Sequence, residues 1–245
     1  VVAATGGEGL AVGYALPLAL KGAAPASNWS PPVFPSVSED LLMRLSNLYA
    51  SDPVFAEPLA TAMAMPQSDI NMKSSGGRAA RQQYQMAMKA MGELMAAPGG
   101  PGIGMISLDG WDTHANQAGA LNVRFASLDG GVAELKRALG NEWSETCVVI
   151  CSEFGRTAAV NGTRGTDHGT GGLMMLLGGA LNGGHVHGDW PGLSHSNLYK
   201  GRDLAPANDV TAVLKGILRD HLGIDRSALN QNIFPGSQGV MDRLI

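Results

Sequence analysis

Three polar turns of the sequence carry side chains that are well suited to bind a metal ion. Their ionisable residues are Asp109, Asp112 and His114 in the first turn, Glu153 in the second, and Asp167 and His168 in the third. Carboxylate oxygens and imidazole nitrogens are typical ligands of zinc and manganese, and a set richer in carboxylates also suits calcium or magnesium. Four carboxylates gathered together would repel one another unless a cation compensated them. The residue types therefore predict a divalent-metal site, zinc first, if the turns meet.

Apolar runs that are typical of buried strands accompany each of these turns. They lie at 102–108, 146–152 and 171–179, and a helix is predicted at 118–139 between the first two. Strands that are apolar on both faces and alternate with amphipathic helices are typical of a mostly parallel sheet sandwiched by helices. The carboxyl ends of neighbouring parallel strands lie at one edge of a sheet, so we expect the three turns to converge there.

Two arginines lie in the glycine-rich segment 152–172 that contains the second and third turns. Arg156 and Arg164 could hold a tetrahedral oxyanion such as phosphate or sulfate through bidentate contacts. The glycines beside Asp167 and His168 allow the backbone to turn sharply and to approach a ligand closely. The segment is therefore predicted to bind a metal and an anionic group beside it.

Simpler interpretations remain open for several of these residues. Asp109 precedes a glycine, which is a common turn dipeptide. Glu153 and Arg156 could form a structural ion pair. His185 and His187 alternate on a predicted edge strand or hairpin, where they could be a further ligand pair or ordinary surface histidines. The placement of all three turns beside successive strands is what favours the metal.

The rest of the sequence predicts one α/β domain over 1–245 with a helical, insertion-like segment at 23–100. Helices are predicted at about 36–52, 54–65, 78–96 and 208–222. The proline- and serine-rich stretch 23–35 is interpreted as a surface connection, and the residues before it as a strand and a turn. The methionines of the third helix are interpreted as adaptable core packing rather than a copper site.

Composition restricts the class of protein. The formal net charge is -4 and the basic residues are scattered, which excludes a nucleic-acid footprint and a polybasic membrane patch. The apolar run at the start falls short of the roughly 20 residues of a membrane span. Cys147 and Cys151 lie too far apart on one predicted strand for a mutual disulfide and are interpreted as core residues. A first residue that is Val suggests that the chain is part of a larger protein.

Several longer motifs resemble those of a bacterial family, domain of unknown function 1501, placed in the alkaline phosphatase and sulfatase superfamily. The motifs are WDTHANQ, TCVVICSEFGRT, NGTRGTDHGTGG, LGGALNGGHVHGDWPGL and NIFPG. The resemblance runs from about Gly9 to the end of the chain. It implies an alkaline-phosphatase-like α/β fold whose N-terminal strands are absent here, and a two-metal hydrolase acting on phosphate or sulfate esters of small molecules or glycans.

The resemblance also implies roles for individual residues. It assigns the first metal to Asp112 (or Asp109), His114 and His168. The superfamily pattern has an Asp-His pair where this chain has Glu153 and Phe154, which removes one ligand of the second metal. That second site is then vacant, rebuilt with Asp167, or occupied by a harder ion. Glu153 and Asp167 are expected to be second-site or bridging ligands. Arg156 is expected to contact the anion or a metal ligand.

The superfamily's nucleophile belongs to an N-terminal strand and helix that this sequence does not match, so we expect it outside the chain. Members of the family often carry a twin-arginine export signal, which implies a periplasmic or secreted protein. Catalysis itself stays open. The alternatives are a non-catalytic exported metal-binding or structural module with the same fold, and a structural calcium site that stabilises a loop.

Overall fold

The computed structural model describes residues 1–13, 15–30, 39–64, 77–237 and 239–245. Its centre is a three-stranded parallel sheet in an α/β arrangement. The strands are β1 (Gly9–Val12), β2 (Ala26–Trp29) and β3 (Ile103–Ile106), in the order β2-β1-β3. Leu10 of β1 lies opposite Ser27 on one side and Gly104 on the other. The prediction of an α/β fold with parallel strands is confirmed at this level.

Helices surround and connect these strands. They are α1 (Val2–Thr5), α2 (Glu39–Tyr49), α3 (Pro53–Ala64), α4 (Gly77–Ala96), α5 (Gln117–Leu139), α6 (Val210–Asp220) and α7 (Arg226–Ala228). Short 3-10 turns occupy Leu18–Leu20, Gly140–Glu145 and His195–Asn197, and a π-helical turn follows α7 at Leu229–Ile233. None of the helices in the described ranges combines the length and the apolarity needed to cross a membrane.

The main core lies between the sheet and the helix pair α4 and α5. Apolar residues recur every three to four positions on both helices, so each helix turns one apolar face inward. The buried members include Leu10 and Val12 of the sheet and Met88, Met91 and Leu135 of the helices. Burying each large aliphatic side chain contributes about 1.5–3 kcal/mol. The prediction that the methionines of α4 fill the core is confirmed.

Close packing of the two helices depends on a glycine in α4. A Cβ added at Gly92 would lie 2.7 Å from the Cβ of Ala138 on α5, so a larger residue would push the helices apart. The opposite face of the sheet is covered differently. Val2, Ala11 and Leu20 form a second, smaller cluster there, supplied by α1 and the turn at Leu18–Leu20. In the described part of the chain, long helices therefore cover one face of this sheet only.

The remaining strands do not extend the parallel sheet, which corrects the predicted topology. Strand β4 (Val148–Ile150) pairs antiparallel with β7 (Met175–Leu177), and Val149 lies opposite Leu176. Between them, β5 (Gly155–Arg156) and β6 (His168–Gly169) form their own antiparallel pair. The predicted parallel neighbours 102–108 and 146–152 lie in different sheets. Because the chain folds back through the β5–β6 pair without a crossover helix, β7 returns antiparallel to β4.

Three local predictions are also wrong. The surface connection predicted at 23–35 contains β2, which forms because its backbone pairs with β1 and Trp29 packs against the core. The stretch around His185 and His187 forms neither an edge strand nor a hairpin. Cys147 and Cys151 form no disulfide, as predicted, but Cys151 is exposed rather than in the core.

Most helix predictions are confirmed within a few residues. The predicted ranges 78–96, 118–139 and 208–222 correspond to α4, α5 and α6. The ranges 36–52 and 54–65 correspond to α2 and α3, while residues 36–38 and 65 of these ranges lie outside the described residues. These elements are set by local periodicity, which the sequence displays directly.

Candidate metal centre

The first polar turn is tied to the helical core. It follows β3, and the Trp111 ring packs edge-on against Phe125 of α5 with centroids 5.2 Å apart. Arg124, also on α5, donates from Nε to the carbonyl of Gly110 at 3.1 Å. These contacts fix the start of the loop, so Asp112 and His114 project from an anchored backbone.

The third polar turn pairs with the first through the backbone. The amide of Asn116 donates to Thr163 O at 3.0 Å and the amide of Gln117 donates to Arg164 O at 2.9 Å. Gly165 makes the closest approach, because a Cβ there would lie 2.2 Å from the carbonyl carbon and oxygen of His114. No side chain fits at this position, so the glycine allows the two turns to meet.

The β5–β6 pair brings the second and third turns together. Arg156 lies directly opposite His168 in this pair. A Cβ at Gly169 would lie 2.5 Å from the carbonyl carbon of Arg156, so the strands also depend on a glycine. On the outer side, the amide of Leu204 donates to Arg156 O at 3.2 Å and the amide of Ala158 donates to Arg202 O at 2.9 Å. His168 is therefore held within a small backbone network.

Asp112, His114 and His168 meet at this rim and are called the cluster below. Oδ1 of Asp112 lies 2.8 Å from Nε2 of His168 and 3.0 Å from Nε2 of His114. One ligand atom from each residue can be chosen so that all three lie within 4.8 Å of one another. The three side chains are about half exposed, at 49%, 45% and 50% for Asp112, His114 and His168. One side of the cluster is thus open to solvent.

Arg156 holds the carboxylate of the cluster. Its Nη2 donates to Asp112 Oδ1 at 3.0 Å and to Trp111 O at 2.8 Å, and its Nη1 donates to Thr166 O at 2.8 Å. The hydrogen bond from His168 is the main cause that lowers the pKa of Asp112, and the charges of His114, His168 and Arg156 lower it further. Asp112 is therefore an ionised carboxylate at neutral pH, the form in which a carboxylate can bind a cation.

Asp167 lies behind His114 rather than inside the cluster. Its Oδ1 is 3.0 Å from Nδ1 of His114 and accepts a hydrogen bond from Asn161 Nδ2 at 2.9 Å. The bond from Asn161 is the main cause that lowers the pKa of Asp167, and the bond to His114 adds to it. A carboxylate on the far nitrogen of a histidine is the usual partner of a metal-binding imidazole.

Phe154 supports the other histidine. Its ring stacks on His168 with centroids 4.1 Å apart and an interplanar angle of 17°. The Arg156 guanidinium carbon lies 4.9 Å from the centroid of the Phe154 ring. Where the superfamily resemblance would place a histidine, this chain therefore has an aromatic ring that packs flat against a cluster residue.

The other predicted site residues lie outside the cluster. Glu153 is exposed and makes no side-chain hydrogen bond or ion pair with any described residue, and Arg156 pairs with Asp112 instead. Asp109 is exposed, and its backbone oxygen accepts the Tyr84 hydroxyl at 2.6 Å. Arg164 is also exposed and adopts a left-handed backbone with φ 60°.

Sequence reasoning missed two polar residues at this rim. Asn161 joins the first and third turns through its side chain. Arg202 donates to His168 O at 3.4 Å, and its charge contributes to the lowered pKa of Asp167. A signal for Asn161 exists, since Asn before Gly is a turn former whose side chain bonds nearby backbone. Arg202 lies far along the chain in a segment without a motif.

The donor set of the cluster fits a divalent metal ion. A carboxylate oxygen only accepts hydrogen bonds, so each facing imidazole nitrogen must either carry a proton or share a cation with it. Metal bonds of 2.0–2.2 Å in a tetrahedral site place neighbouring ligand atoms about 3.3–3.6 Å apart. The 2.8 and 3.0 Å separations from Asp112 Oδ1 would have to open by about 0.3–0.8 Å to admit an ion.

Comparison with known protein families shows which family the chain belongs to. Residues 40–233 match the family described as "Protein of unknown function (DUF1501)". The chain belongs to this family. No curated protein and no solved structure matches it. The DUF1501 match contains α5, the β5–β6 pair and all three cluster residues, so the candidate metal centre lies within the family region.

Proposed function

We propose that this DUF1501 protein is a metal-dependent hydrolase of the alkaline phosphatase and sulfatase superfamily. Its substrates would be phosphate or sulfate esters of small molecules or glycans, and its location periplasmic or secreted. The observation that carries the proposal is the contact of two imidazole nitrogens with one carboxylate oxygen on a solvent-open rim. Two nitrogen ligands favour zinc over calcium or magnesium.

In this proposal, Asp112, His114 and His168 hold the ion. When bound, the ion would stabilise the negative charge that develops on an ester oxygen during hydrolysis. Arg156 keeps the Asp112 carboxylate in place, since its guanidinium already donates to three acceptors. Arg164, which is exposed, is the better candidate to contact the anionic group of a substrate.

A second ion stays a weaker part of the proposal. Glu153 and Asp167 are the residues proposed to bind it. Asp167 Oδ1 is engaged with His114 and Asn161, so a second ion would have to use its other oxygen. Glu153 would have to turn toward the cluster from its exposed position. A single ion therefore accounts best for the arrangement.

One observation favours the alternative, a non-catalytic metal-binding module. Among the residues that the structure describes, the cluster side chains hydrogen-bond only to one another, to Arg156 and to Asp167. No serine, threonine or cysteine of the described ranges is bonded to them, so no nucleophile within these ranges is activated by a cluster histidine. If the module is correct, the ion binds a partner or stabilises the rim.

Metal analysis and ester hydrolysis would separate the two candidates. We expect the purified full-length protein to bind one equivalent of zinc or manganese and, with the nucleophile that is expected outside this sequence, to hydrolyse an aryl phosphate or an aryl sulfate. His168→Ala should abolish both properties, while His195→Ala, which removes another exposed histidine, should leave both intact. Bound metal without turnover of either ester would support the module. Absence of metal binding, with His168→Ala indistinguishable from the native protein, would refute both.

A further inference from the structure

The two histidines of the cluster are held by different kinds of contact. His114 has a carboxylate partner, since Oδ1 of Asp167 lies 3.0 Å from its Nδ1. No side chain in the described ranges bonds to Nδ1 of His168, and the ring of Phe154 stacks on this imidazole instead. We propose that Phe154 is a positioning residue whose flat ring fixes the plane of the His168 imidazole in which Nε2 faces the ion site. The consequence for metal binding rests on the proposed function, whereas the orientation of the ring is a property of the metal-free protein.

The place of Phe154 follows from the β5–β6 pair. Side chains alternate along a strand, so Phe154, directly before β5, projects to the same side as Arg156. Arg156 lies opposite His168 in this pair. Phe154 is therefore a diagonal neighbour of His168, a separation that an aromatic side chain can bridge. The two ring centroids lie 4.1 Å apart.

The stack limits rotation of the imidazole. The torsion about the Cβ–Cγ bond of a histidine has broad minima, so a ring without a hydrogen-bonded partner on Nδ1 can turn. The Phe154 ring lies nearly parallel to His168, with an interplanar angle of 17°. Turning the imidazole out of this plane would drive its edge into the Phe154 ring. In the stacked plane Nε2 lies 2.8 Å from Asp112 Oδ1, whichever imidazole nitrogen carries hydrogen.

This effect acts on His168 directly and does not pass through Arg156. The guanidinium carbon of Arg156 lies 4.9 Å from the centroid of the Phe154 ring. The same guanidinium also donates to the carbonyls of Trp111 and Thr166, both at 2.8 Å. These bonds keep the guanidinium in place when the ring is removed. A substitution of Phe154 should therefore alter one ligand of the cluster and leave the others where they are.

Histidine ring NMR of the metal-free full-length protein tests the stack. Protons above the face of an aromatic ring are shifted upfield, so the ring protons of His168 should be upfield of those of an unstacked histidine. Their signals are assigned by their loss in His168→Ala. Phe154→Leu keeps apolar bulk without a flat ring and should move these signals downfield, whereas Phe154→Tyr keeps the ring and should leave them shifted.

Zinc competition measures the consequence for binding. Phe154→Leu should raise the zinc Kd roughly 2–10-fold, since an aromatic pair contributes about this much beyond its buried area. Phe154→Tyr should bind zinc as the native protein does. The matched control is Phe55→Leu, which removes a ring that stacks on Tyr49 with centroids 5.2 Å apart, between α2 and α3. It should change neither the His168 signals nor the zinc Kd.

The outcomes separate the flat ring from its bulk. In a protein that binds zinc, either quantity unchanged in Phe154→Leu would overturn the proposal, and so would equal impairment in Phe154→Leu and Phe154→Tyr. Should Phe154→Leu fail to fold, Phe154→Met, another apolar side chain without a ring, takes its place. If the native protein binds no zinc, the proposed metal site is refuted and the NMR signals decide alone. An upfield shift that is lost in Phe154→Leu then supports the role of Phe154, and an unchanged spectrum overturns it.

Discussion

The packed layer between the sheet and helices α4 and α5 differs from the polar rim in what holds it together. In the layer, apolar side chains such as Leu10, Leu128 and Leu135 are almost completely buried. At the rim, Asp112 and His168 are half exposed and are held by charged hydrogen bonds. Burial contributes to the stability of the whole fold, whereas half-exposed polar contacts contribute little to it. Stability and metal binding are therefore expected to respond to different substitutions.

The two regions also differ in what restricts their sequences. In the packed layer, close packing restricts each position to side chains of about the same volume. At the rim, the limit is the approach of one backbone to another, since a Cβ at Gly155, Gly165 or Gly169 would fall 2.2–2.5 Å from a neighbouring main-chain atom. The following predictions separate the two regions, beginning with the largest expected effect.

Removing a core side chain should lower stability without weakening metal binding. Leu135→Ala leaves a cavity beside α4 and should reduce the free energy of unfolding by about 2–5 kcal/mol. Its zinc Kd should stay within a factor of about three of the native value, close to the usual context dependence of such measurements. Val123→Ala on the exposed side of α5 is the control and should change stability by less than about 0.5 kcal/mol. Zinc binding lost together with stability in Leu135→Ala would show that the regions are coupled.

Adding one methyl group at the rim should weaken metal binding. In Gly165→Ala the new Cβ meets the backbone of His114, so the first and third turns must separate. We expect zinc affinity to fall at least tenfold, which corresponds to about 1.4 kcal/mol. The matched control is Gly162→Ala, because a Cβ at Gly162 has no atom within 4 Å. Equal zinc affinities for the two variants, measured by competition, would contradict the steric role of Gly165.

A capping carboxylate away from the rim should give the smallest effect. Asp209 accepts from the amide and the hydroxyl of Thr211, both at 2.8 Å, at the start of α6. These bonds, the hydroxyl bond first, lower the pKa of Asp209 in the folded protein. Asp209→Ala should cost about 1 kcal/mol at pH 7.

The pH dependence of this effect has a definite sign. Because the folded pKa of Asp209 lies below its unfolded value of 3.8, its contribution is present above that pH and is lost as the pH falls through the folded pKa. The difference in unfolding free energy between native protein and Asp209→Ala should therefore shrink below about pH 4. Urea titrations at pH 7 and pH 3 measure it. A difference that grows on acidification would rule out the cap as its source.

The sequence predicted the helices and the family membership, and it pointed to residues that the fold brings together. Helices α4 and α5 follow from periodicity, which is local. His114 and His168 do lie against Asp112, but for a different reason from the expected one. The turns meet through backbone pairing of 115–117 with 163–164, not at the ends of neighbouring parallel strands. Pairing between distant segments leaves no local pattern to read. The role of these residues as metal ligands stays a prediction.

Helix α6 shows why side-chain burial is harder to predict than helix position. The apolar spacing within α6 would put Val210 on its buried face, yet Val210 is 48% exposed and Lys215 is completely buried. Lys215 Nζ donates to Asn230 Oδ1 at 2.7 Å and to Ser237 O at 2.6 Å. Acceptors from the following segment make this burial tolerable, and no hydropathy pattern within α6 reveals them.

The distance along the chain between the cluster residues would give a bound ion a mechanical role. Asp112 and His168 lie 56 positions apart, and the intervening chain includes α5 and β4. An ion bound by both residues would act as a removable cross-link that closes this long loop. Loading the ion would slow unfolding and protease cleavage of the entire enclosed segment, and a chelator would reverse that protection without breaking a covalent bond.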